Sequence, residues 1–223
     1  MHSRLKLVLL ASAAALGACS PMAPTSQNPM SFFVTSANPG KGADFGGLSG
    51  ADAYCQKLAT AVNAGNKNWR AYLSTTASGA GPAVNARDRI GSGPWQNVKG
   101  VVVATSVDDL HGPNNKLNKQ NALTEKGGVV SGFGDAVNMH DILTGSRPDG
   151  TAVPVVPGKD TTCGNWTSSG AGSAIVGHFD RNGTNPDPVA NASWNSSHGT
   201  RGCGMEALKS TGGAGLLYCF AAN

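Results

Sequence analysis

The densest run of oxygen ligands in the chain is Asp180-Arg181-Asn182-Gly183-Thr184-Asn185-Pro186-Asp187. Oxygen donors spaced around a glycine turn are what a hard cation asks of a loop, so Asp180, Asn182, Asn185 and Asp187 are candidate metal ligands and calcium the candidate ion. The spacing departs from an EF-hand, because the glycine comes two residues early and no glutamate closes the loop. An ordinary Asx-rich turn is the competing reading. A few residues on, Trp194 stands amid Asn191, Asn195, Ser196 and His198. An indole that stacks on a ligand while amides and an imidazole bond its polar groups would make Trp194, Asn191, Asn195 and His198 a binding surface. Packing of Trp194 beneath the loop is the alternative. Trp69, Trp95 and Trp166 lie within or beside strand-like runs and are expected in the core.

Catalytic patterns are sparse. The chain has no Gly-x-Ser-x-Gly elbow and no His-Glu-x-x-His zinc pair. Ser196, Ser197 and His198 are neighbours in sequence, which does not set a nucleophile and a base in register. Paired carboxylates for glycoside cleavage could be drawn from Asp108, Asp109, Asp135, Asp141, Asp160, Asp180, Asp187 and Glu206, but nothing in their spacing selects a pair. The residue pattern points to binding rather than catalysis. Asn-x-Ser/Thr matches at Asn165, Asn182, Asn191 and Asn195 read as hydrogen-bonding loop residues on a bacterial export route.

The elements that carry these residues sit behind an export signal. Arg4 and Lys6 give a positive start and Leu7 to Leu16 an apolar run too short to cross a bilayer. Leu16-Gly17-Ala18-Cys19 resembles the lipobox of bacterial lipoproteins, which implies cleavage after residue 18, acylation of Cys19 and attachment to membrane lipid. By the sorting rule of such lipoproteins, Ser20 directs the chain to the outer membrane. Residues 19–30 are rich in proline and small polar side chains and read as a flexible tether, leaving residues 31–223 as one domain. Cleavage removes Arg4 and Lys6 and no acid, so the formal excess of +4 falls to +2, too weak for a nucleic-acid partner. With 31 glycines and 13% charged residues the domain is polar mainly through Asn, Ser and Thr, as suits a loop-rich extracytoplasmic module.

Apart from Cys19, Cys55, Cys163, Cys203 and Cys219 form an even set in an oxidising compartment, which favours two disulfides. Three connectivities are open. A nested pairing, Cys55 with Cys219 and Cys163 with Cys203, would pin the first helix to the last strand and staple one long loop. A thiolate zinc site is disfavoured, because no two of these cysteines lie two or three residues apart and the histidines are scattered. Phe32 to Thr35 reads as an opening strand. Ala51, Tyr54, Cys55, Leu58 and Val62 mark one face of a helix begun near Ser49. Further strand signals are Trp69 to Ser74, Val101 to Ala104, Ile142 to Thr144, a strand start at Cys163 to Ser168, and Gly215 to Phe220.

This order of elements resembles the C-type-lectin-like fold. Closer still, the runs 48–55 (LSGADAYC), 69–74 (WRAYLS), 93–95 (GPW), 163–167 (CGNWT) and 218–220 (YCF) are similar to those of a family of bacterial surface lipoproteins. Domains of that family resemble the endostatin-type module found at the end of some collagens. The resemblance covers Phe32 to Asn223. It implies an α+β domain with a small, mainly antiparallel sheet, one main helix, long loops and two disulfides, in which the helix cysteine is bonded to the cysteine of the last strand. Asn185-Pro186-Asp187 and Ser193-Trp194-Asn195-Ser196 only echo the sugar-binding tripeptide and Trp-Asn-Asp of calcium-dependent lectins, and no arginine cluster suggests a heparin face. The expectation is a lipid-anchored, non-catalytic module at the outer membrane that binds carbohydrate or extracellular-matrix protein through residues 171–201. A structural envelope lipoprotein and a glycan-acting hydrolase are the alternatives.

Overall fold

The computed structural model describes residues 28–222; the expected export signal, Cys19 and most of the expected tether lie outside the described residues. The strands are β1 (Phe32–Val34), β2 (Trp69–Ala71), β3 (Trp95–Gln96), β4 (Val102–Ala104), β5 (Asp141–Leu143), β6 (Ile175–His178), β7 (His198–Gly199) and β8 (Gly213–Ala221). The helical segments are α1 (Gly47–Thr60), α2 (Val107–His111), α3 (Cys163–Trp166), α4 (Pro188–Asn191) and α5 (Met205–Lys209). Among them none is long and apolar enough to cross a membrane.

β8 organises the main sheet. It pairs antiparallel with β1, where Phe33 faces Cys219, and antiparallel with β2, where Ala71 faces Cys219. It also runs parallel to β5, with Leu143 opposite Leu217, and β6 and β7 continue outward as antiparallel neighbours. Strands β3 and β4 form a separate antiparallel pair. The result is a mixed α and β domain with small, mainly antiparallel sheets and one main helix.

Alternation along β8 divides the interior in two. Leu217, Cys219 and Ala221 pack with Phe33, Trp69, Trp166 and the buried face of α1. Leu216, Tyr218 and Phe220 pack on the other side with Phe32, Tyr72, Trp95 and Trp194. A strand apolar on both faces must be covered on both, which is why its sequence reads as a continuous hydrophobic run.

Two disulfides fix this arrangement: Cys55 of α1 is bonded to Cys219 of β8, and Cys163 to Cys203. The loops they close span 164 and 40 residues. Chain-entropy arithmetic gives about 5 and about 4 kcal/mol for closures of that size.

Several boundaries differ from the sequence reading. Met30, placed in the tether, is fully buried, and Asn28 already hydrogen-bonds the Val62 carbonyl, so the fold begins a few residues early. Helix α1 starts at Gly47 on a left-handed Gly46, without the Ser49 cap expected. The strand expected from Cys163 is instead a left-handed turn, with φ of 49° at Cys163, 60° at Gly164, 58° at Asn165 and 68° at Trp166. Gly and Asn tolerate that region best. Asn165 also bonds both Thr76 and Thr162 through its side chain, and Trp166 donates its indole N–H to the Ser74 carbonyl.

Candidate metal centre

The calcium reading of the 180–187 loop is corrected by what its side chains hold. Asp180 accepts from the Phe133 backbone N–H and faces His140 Nδ1, while Asp187 caps α4 by accepting from Val189 and Ala190. Asn182 Oδ1 accepts from Gly183 N–H; Asn185 Oδ1 accepts from Asp187 N–H, and its amide donates to the Ser197 carbonyl. Each of the four candidates thus holds local contacts within the loop or to its neighbours.

Trp194 is corrected likewise. It is 3% exposed and packs against Tyr72 and Tyr218 at ring separations of 4.9 and 5.3 Å, so it belongs to the core and offers no stacking platform. Asn195 is 1% exposed, and its amide donates to Tyr72 Oη and to the carbonyls of Arg147 and Pro148. Asn191 Oδ1 accepts from Asn185 N–H. Of that quartet His198 lines a solvent-open cavity.

His198 leads to a site that no local pattern announced. β5, β6 and β7 lie side by side with Asp141 opposite His178 and Val176 opposite His198. That pairing gathers histidines scattered in sequence. His140, Asp141 and His178 are all buried, and one donor atom from each lies within 4.8 Å of the others. Asp141 Oδ1 is 3.3 Å from His140 Nε2 and 3.4 Å from Nε2 of both His178 and His198. The rings of His140 and His178 stack at 4.2 Å. Glycines make room here: a Cβ on Gly183 would stand 2.7 Å from the His178 ring, and one on Gly212, whose φ is 101°, 3.1 Å from His140 Nε2.

The outer hydrogen bonds place a proton on each Nδ1. His178 Nδ1 meets the Asn191 carbonyl at 2.8 Å and His198 Nδ1 the Gly199 carbonyl at 3.2 Å. Carbonyls only accept, so each Nδ1 bears the hydrogen and a neutral ring turns its Nε2 lone pair inward. His140 Nδ1 meets Asp180 Oδ1 at 3.1 Å in the same sense. Partners of this kind orient metal-binding histidines.

Despite their nearness, the inner atoms are not hydrogen-bonded. Both carboxylate oxygens of Asp141 and Nε2 of His178 are buried with no hydrogen-bond partner. A buried carboxylate without a hydrogen bond is costly unless nearby charge or a bound ion compensates it. Burial pushes the Asp141 carboxyl up, but the His178 and His198 imidazoles outweigh that and hold it below the usual carboxylate range. The contact with Asp141 in turn holds His198 above the usual imidazole value, against the effect of burial.

Geometry supplies the resolution. Donors bound to one zinc ion at about 2.0–2.1 Å stand about 3.3–3.4 Å apart along the edges of a tetrahedron. Those are the separations found from Asp141 Oδ1 to Nε2 of His140 and His178, and an ion bound there would meet both orphaned groups once the near-parallel His140 and His178 rings turn to aim their lone pairs at it. Imidazole with carboxylate suits zinc and neighbouring transition metals, whereas calcium takes six to eight oxygens. The signal in the sequence was the pairing of histidine with acid, His140-Asp141 and His178-Phe179-Asp180, in a chain with only 13 acidic residues.

No family model matches the chain, and no curated protein is significantly similar to it.

Proposed function

We propose that this protein is an exported, lipid-anchored binding module of the bacterial envelope whose site is a divalent transition-metal centre held by His140, Asp141 and His178, with His198 beside them. The buried carboxylate of Asp141, without a hydrogen bond and within 3.4 Å of the His140 and His178 Nε2 atoms, carries this reading. Anchoring through Cys19 at the outer membrane, and a C-type-lectin-like arrangement of the domain, are part of the same proposal. They rest on the lipobox-like 16–19 segment and on the disulfide from the first helix to the last strand. Ligand binding without catalysis remains the proposed task, with small-molecule binding moved from Trp194 to the cavity over the histidines. Carbohydrate and matrix protein stay the proposed partner classes of the domain's outer surface.

Zinc titration of the full mature chain, followed by calorimetry and metal analysis, tests the centre. One ion per chain is expected, with affinity reduced at least about 100-fold in Asp141→Ala or His178→Ala. Wild-type protein that takes up no stoichiometric zinc, cobalt or nickel would overturn the proposal, as would a variant that binds as tightly as wild type.

A further inference from the structure

His140, His178 and His198 form one wall of a cavity of about 390 Å³ that opens to solvent. An ion held by His140, Asp141 and His178 has three protein donors, and a tetrahedral zinc with three such donors keeps its fourth position for another ligand. His198, whose side chain is 28% exposed, lines the same cavity with its Nε2 3.4 Å from Asp141 Oδ1, outside the three-donor group. Resting on the metal reading above, we infer that the centre keeps this position open to the cavity and binds there the carboxylate of a small monoanionic ligand with an apolar body.

Charge selects the carboxylate. A divalent ion with one aspartate and neutral imidazoles retains a single positive charge, and a second carboxylate cancels it. Asp180 is held away by His140 Nδ1 and the Phe133 N–H, so it does not fill that role itself. No lysine or arginine lines the cavity, and nothing there would balance the second charge of a dianion such as phosphate. Neutral donors would leave the centre's charge in place.

The remaining wall selects the body. Phe133, 37% exposed, and Pro186 present apolar surface. Asn138 Nδ2 and Thr184 Oγ1 line the same cavity, and neither takes part in the side-chain hydrogen bonds found among the described residues, so both are available to the free carboxylate oxygen. Asn185 and Thr211 are engaged with the Ser197 and Leu208 carbonyls and serve as fixed walls.

Cobalt in place of zinc gives the test a readout separate from activity. The full mature chain, loaded with one cobalt ion, is titrated with benzoate, acetate, phosphate and methanol while its visible d–d absorption is followed. Saturable change with both carboxylates is expected, with benzoate about tenfold or more tighter than acetate because its ring is buried against Phe133. In Phe133→Ala benzoate should fall to the affinity of acetate. A cobalt spectrum that appears but does not respond to carboxylate, or responds more strongly to phosphate, overturns this inference and leaves the metal centre standing. If no cobalt spectrum appears, both readings fall.

Discussion

Two buried aspartates show how differently one side chain can be accommodated. Asp52, on α1, receives hydrogen bonds from Arg70 Nη1 and Arg89 Nη2 and from the Ala71 backbone N–H, so its charge is matched and its lone pairs are filled. Asp141, on β5, is more deeply hidden, yet its oxygens receive no hydrogen bond and one of them lies 3.3–3.4 Å from three imidazole Nε2 atoms. The first carboxylate completes the fold. The second makes sense only when something joins it, and the contrast teaches that burial marks a functional group only when its partners are missing.

The largest effect that would sharpen this contrast is the response to metal. At a concentration about a thousand times the dissociation constant, zinc should stabilise the wild type by about 4 kcal/mol, read from chemical denaturation with and without a chelator. Asp141→Asn should gain nothing, whereas Asp52→Asn should gain as much as wild type. An equal gain in both variants would break the distinction.

Next comes the behaviour without metal, where the two substitutions should diverge in the opposite sense. Asp52→Asn leaves Arg89, with 11% of its side chain exposed, facing no negative charge, and should cost about 2–3 kcal/mol once the 40% exposure of Arg70 is allowed for. Asp141→Asn in the chelated protein removes a carboxylate that holds no hydrogen bond and should cost less than Asp52→Asn, about 1 kcal/mol. Urea unfolding at neutral pH reads both. A large loss in chelated Asp141→Asn would mean that its carboxylate is a structural group like that of Asp52.

The smallest effect concerns a histidine outside the centre. His111 accepts from Tyr72 Oη at 2.7 Å through Nε2 and donates through Nδ1 to the Val107 carbonyl, and burial lowers its pKa below the ordinary imidazole value. The unfolded chain therefore takes up that proton first, and stability falls as the pH drops through about 6.5 toward the folded value. In His111→Gln this part of the acid sensitivity should vanish, measured as a shallower dependence of the chelated protein's unfolding midpoint on pH between neutrality and mild acid. An unchanged slope would show that other groups carry it.

Much of the scaffold was legible because its signals are local or covalent. The apolar run of β8, the helical spacing around Cys55 and the even cysteine count each speak within a short window. The left-handed turn at Cys163 misled because Trp166 and Thr167 look strand-prone, while Gly164 and Asn165 supply the conformational freedom that decides the matter. β6 escaped notice within a polar stretch, since a four-residue strand containing Gly177 has little alternation to show. The site was harder still. His140, His178 and His198 come together only through strand pairing, a long-range property that no spacing rule for metal ligands covers. Trp194 was placed wrongly because polar neighbours in sequence say nothing of the Tyr72 and Tyr218 rings that enclose it.

The place of β8 has a consequence for how the chain acquires its shape. β1, β2 and β5 share it as their common partner, yet it follows all of them in sequence, by as much as the distance from Phe33 to Cys219. β3 with β4 and β5 with β6 can pair early, but β1 and β2 have no partner strand until β8 appears, so closure of the main sheet awaits late residues and proceeds through distant encounters, a slow topology. An unclosed chain of this kind can be threaded through a narrow translocation pore without first being pulled apart.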